Sequence, residues 1–114
     1  MSEKRDEVTL RVYAALEKYE RALDEAAALG ADLAAELPRA RIDANFAAEV
    51  GQGAFSHFIG SLGDLVVARG RVVEGHRELA TVRRRFNLPV VSSGDKIPIP
   101  QMNPVEDIRP LRAA

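Results

Sequence analysis

From Val12 to Leu37 the apolar and small residues of this chain fall at alternating intervals of four and three: Val12, Leu16, Tyr19, Leu23, Ala26, Gly30, Leu33 and Leu37. Such spacing puts every member on one face of a helix and is the seam of a coiled-coil-like packing. A strand cannot use it, because strand side chains change face at every residue. The spacing therefore predicts one long helix over residues 3–37. Glu17 and Arg21, and Arg21 and Glu25, sit four apart on its outer surface, where each pair contributes about 0.3 kcal/mol.

Pro38 is the expected turn. Its ring removes a backbone donor and biases the preceding residue away from helix, yet proline is welcome in the first turn of a new helix. Gly30-Ala31-Asp32 is the competing site, a helix end followed at once by a new start. After Pro38 a second helix is expected over residues 39–86, antiparallel to the first because the connection is short. Gly51-Gln52-Gly53 interrupts it in composition but not in phase, since Ala40, Ala44, Ala47, Gly51, Ala54 and Phe58 hold the heptad interval through the glycines. A continuous helix is the preferred reading, with a kink at the glycines as the alternative. Its larger length predicts that Leu79, Val82 and Phe86 project about 20 Å beyond the first helix and need a cover.

Within the second helix, Ala54–Val67 carries the widest apolar arc. Phe55, Phe58, Ile59, Leu62, Leu65 and Val66 span about 160° of it, more than one partner helix covers. Beyond Phe58 the seam alternates large residues (Leu65, Val72, Leu79) with small ones (Ser61, Ala68, Gly75), which lets facing layers interdigitate. Phe58 and Leu65 are expected to face the first helix, and Phe55, Ile59, Leu62 and Val66 a second subunit.

Past Phe86 the composition shifts: five of the six prolines lie in residues 87–114. Lys96-Ile97-Pro98-Ile99-Pro100 must be extended. Ile97, Ile99, Met102, Val105, Ile108 and Leu111 recur through this tail and make it a candidate strap for a partner or a neighbouring subunit.

Chemistry-bearing constellations are sparse. The chain has no cysteine, which removes disulfides, thiolate metal sites and thiol nucleophiles. His57 and Asp64 share a face seven apart, and His76 is five turns further on, so no intrachain metal or acid–base spacing results. Arg69, His76 and Arg83 form a seven-spaced line flanking the seam, where pairing with acids of the first helix is expected. Arg83-Arg84-Arg85 closes the second helix and complements its dipole; it is also the only candidate for nucleic-acid contact. Neither glycine cluster has the context of a phosphate-binding loop.

Charge is uneven though the net is −1: residues 1–37 hold nine acids against five bases, and residues 38–86 hold eight arginines against five acids. Opposite halves of this kind suit helices lying side by side. No run is long and apolar enough for a membrane span, and the N-terminus has no apolar stretch of a secretory signal, so a cytoplasmic location is expected. The expected fold is all-α: a long antiparallel helical hairpin, dimerising into a four-helix bundle, with an extended proline-rich tail. The expected function is a non-enzymatic interaction or assembly protein without cofactor or metal, acting as a homo-oligomer with a protein partner on the tail. A small dimeric nucleic-acid-binding or regulatory protein using Arg83, Arg84 and Arg85 is the alternative.

Overall fold

A computed structural model describes residues 3–90. They form two long helices, α1 (Glu3–Asp43) and α2 (Gln52–Arg85), and no strand is found among the described residues. Contacts run in opposite chain order along the pair. Gly30 meets Leu62, Glu20 meets Arg69, and Tyr13 meets His76. The pair is an antiparallel hairpin.

The turn is not at Pro38, which lies inside α1. Only five residues follow it in the helix, and two devices hold that last turn in place. Asn45 adopts a left-handed conformation (φ 56°). The Phe46 N–H then donates to the Arg41 carbonyl at 3.0 Å and the Asn45 N–H to that of Ile42 at 3.1 Å. This is the Schellman arrangement, which satisfies carbonyls that a helix end leaves open. Arg41 adds a clamp by donating to the Ala48 carbonyl and to Gln52 Oε1 across the loop.

Nor is the second helix continuous from residue 39. Residues 44–51 form the loop, and Gly51, at φ 75°, makes the left-handed step that α2 starts from. The heptad interval from Ala40 to Ala54 does not carry a helix, because Ala and Gly fit a loop as readily as a seam. At its other end α2 stops as α1 does: Asn87 is left-handed (φ 53°), and the Leu88 N–H donates to the Arg83 carbonyl at 2.9 Å.

These limits reverse the expected overhang. With 41 residues against 34, α1 is the longer helix by about 10 Å. Phe86 and Leu88 consequently lie beside Lys4, Val8 and Thr9 at the open end, so Phe86 is not left without an intrachain neighbour.

The packing line is also turned by one residue from the expected seam. On α1 the line of buried and half-buried residues runs Thr9, Tyr13, Leu16, Glu20, Leu23, Ala27, Gly30, Ala34 and Leu37. On α2 it runs Leu62, Leu65, Arg69, Val72, His76, Leu79 and Arg83. Both lines keep the intervals of four and three. Leu16, Leu23, Gly30 and Leu37 belong to the observed line and to the expected one, whereas Val12, Tyr19 and Leu33 stay exposed at 39%, 54% and 43%. Residues three and four further on are both neighbours on a helix, so an apolar pattern broad enough for two seams leaves the rotation open. Ion pairing settles it here, because Glu20 has to face Arg69 and His76.

Candidate functional site

The inner line contains one polar cluster. The Glu20 carboxylate, 6% exposed as a residue, accepts from Arg69 Nη1 at 3.2 Å and lies 3.5 Å from His76 Nδ1. Arg69 Nε also donates to Asp24 Oδ1 at 3.0 Å, and the Tyr13 ring meets the His76 ring edge-on with centroids 5.9 Å apart. The hydrogen bond to Asp24 is the main cause holding the Arg69 guanidinium above its ordinary pKa; the charges of Asp24 and Glu20 act the same way, against a lowering by burial. The expected pairing of Arg69 and His76 with acids of the first helix is what the structure has. Both Glu20 oxygens are engaged across the helix pair, so the cluster works as a charged clamp that fixes which residues of α1 and α2 meet.

Towards the loop the same line becomes small and apolar. A Cβ built on Gly30 would lie 2.7 Å from Leu62 Cδ2, so this glycine is where Leu62 seats on α1. Leu62, expected at a subunit contact, packs against α1 here. Phe55 shares that line and is half-buried. Ile59 and Val66 lie on the outer side of α2, 44% and 70% exposed, with Val73 continuing the stripe at 38%. Phe58, expected against the first helix, is 40% exposed, and Leu65 is half-buried.

A second apolar surface was hidden by the rotation of the seam. The line Val12, Tyr19, Ala26 and Leu33 now borders one open side of the hairpin, and the small line Ser61, Ala68 and Gly75 borders it from α2. Between them runs a groove lined by Leu16, Tyr19, Ala68, Val72, Gly75 and Leu79, with Arg71 at its rim. Ala15, Ala22 and Leu29, the last 69% exposed, extend the apolar surface around α1. Three apolar lines on one helix are visible in the residue spacing, and that was the signal available for the groove. The hairpin tip is apolar as well, with Ile42, Phe46 and Val50 exposed at 76%, 58% and 47%.

The remaining candidates are dispersed. His57 and Asp64 are exposed, and no cluster of His, Asp and Glu able to hold a metal is found among the described residues. Arg84 and Arg85 are exposed at the end of α2 while Arg83 is half-buried. The tail residues Ile97, Ile99, Met102, Val105, Ile108 and Leu111 lie outside the described residues. Among the described residues no helix is long and apolar enough to cross a membrane. Comparison with protein-family models, with curated proteins and with solved structures finds no match.

Proposed function

We propose that this chain is a non-enzymatic interaction or assembly protein built on an oligomeric helical bundle, with the tail from Ile97 to Leu111 docking on a partner or a neighbouring subunit. The observation that carries this reading is the near absence of a core. Ala34 is the only buried apolar residue described, whereas sixteen large apolar residues are exposed. Two helices cannot repay the conformational entropy of their own ordering without covering their apolar faces, and exposed apolar surface on this scale marks an association site. The polar groups that do converge, Glu20, Arg69, Asp24 and His76, are used up in pairing with one another.

Nucleic-acid binding through Arg83, Arg84 and Arg85 draws less support. Glu3, Asp6 and Glu7 of α1 share that end of the hairpin and dilute its positive field. Light scattering on the purified chain tests the proposal, with a stable oligomer expected at micromolar concentration and a monodisperse monomer contradicting it. For the tail, the full chain is compared in partner capture with a chain ending at Val90, which keeps the Leu88 cap of α2. Partners retained equally by both would remove the tail from the proposal.

A further inference from the structure

The groove bordered by Tyr19 and Gly75 points to a definite occupant. We propose that it receives a second copy of this chain, the two hairpins lying side by side with their loops at the same end, so that α1 of each copy packs against α2 of the other. The inference rests on the reading of the chain as an oligomeric bundle and adds which surface is used and in which orientation.

Two copies related by a two-fold axis can close this groove in two ways. With loops at the same end, each α1 faces the other copy's α2. With loops at opposite ends, α1 faces α1 and α2 faces α2. Side-chain size favours the first. The α1 border is mostly large (Val12, Tyr19, Leu33) and the α2 border mostly small (Ser61, Ala68, Gly75). Large residues then enter the spaces left by small ones, whereas like against like would crowd Tyr19 and Leu33 and leave a void along α2.

Charge selects the same arrangement. Residues 3–43 carry ten acids against seven bases and residues 52–85 carry six arginines against three acids. Alternating the two helices around a bundle gives each acidic helix two basic neighbours, while the other arrangement sets acidic against acidic. Arg71, at the groove, makes no ion pair within the described chain, and the same-end arrangement sets it against the acidic α1 of the other copy.

Two further features follow from same-end packing. The exposed Ile42, Phe46 and Val50 of the two tips become neighbours. Val90, the last described residue, lies at the opposite end in each copy, so the two come together on one side of the assembly.

The absence of cysteine makes the test direct. A spin label on Ala47→Cys, in the loop, reads the distance between tips in the full-length oligomer. Same-end packing predicts a separation under about 25 Å, from helix spacings of 8–10 Å; opposite-end packing predicts about 60 Å, the length of α1. Gly75→Glu, which meets open space in the single hairpin and improves helix propensity, should weaken dimerisation by about 100-fold with helicity retained. Gly70→Glu, on the outward side of the same helix, should leave it unchanged. A dimer with the long distance overturns the arrangement and leaves the assembly reading standing. A dimer indifferent to Gly75→Glu overturns the use of the groove, and a monomer at all concentrations overturns both.

Discussion

The two halves of the hairpin's inner line solve the same packing problem by opposite means. Near the loop, α1 presents Ala27, Gly30 and Ala34, and Leu62 comes close enough that a Cβ at Gly30 would have to push its Cδ2 aside. Near the open end the buried residues are Thr9 and Glu20, and the facing α2 positions are Arg69 and His76. One half gains stability from close approach and gives little directional information, since Ala and Gly accept many neighbours. The other half gains less from burial, because taking charges from water offsets most of their attraction, but it specifies register. A hairpin made only of the first kind could slide; one made only of the second would be weak.

The largest expected effect lies in the polar half. Arg69→Ala strips Glu20 of its main partner and should cost about 3 kcal/mol of stability in denaturant unfolding, because a buried carboxylate is left with only His76 beside it. Replacing Glu20 and Arg69 together by Leu sharpens the contrast: stability should return to within about 1 kcal/mol of the parent while the fixed register is lost, visible as broadened amide resonances. A single sharp set of resonances in that double variant would remove the clamp from its assigned role.

In the apolar half, Gly30→Val should destabilise by about 2 kcal/mol through crowding against Leu62. Gly30→Ala should be near neutral, since its gain in helix propensity meets a clash with the end of one side chain, Leu62 Cδ2, that can rotate. The smallest effect belongs to a glycine outside either half. A Cβ on Gly70 meets open space, so Gly70→Ala should stabilise by about 0.8 kcal/mol in the same assay. Equal effects at Gly30 and Gly70 would contradict the close approach assigned to Gly30.

Much of this architecture was legible in the residues. The heptad interval gives two long helices, the uneven charge gives their side-by-side attraction, and Arg69 with His76 was recognisable as a line that would find acids on α1. The turn lies beyond Pro38 because an asparagine, not the proline, ends the helix. Pro38 is tolerated in the last turns of α1, whereas Asn45, free to adopt the left-handed conformation, ends it. The same residue type in the same role ends α2 at Asn87. Of the four residues expected at a subunit contact, Ile59 and Val66 lie outward and Leu62 inward.

By itself, then, the sequence determined that this chain is helical and antiparallel, because periodicity and composition are local properties. Only the tertiary structure decided the rotation of each helix about its axis. Leu16, Leu23 and Gly30 serve either of two seams equally well, and the choice between them depends on a contact between residues as far apart in the chain as Glu20 and Arg69. That rotation turns Tyr19 and Gly75 outward and makes the groove between them available for a partner.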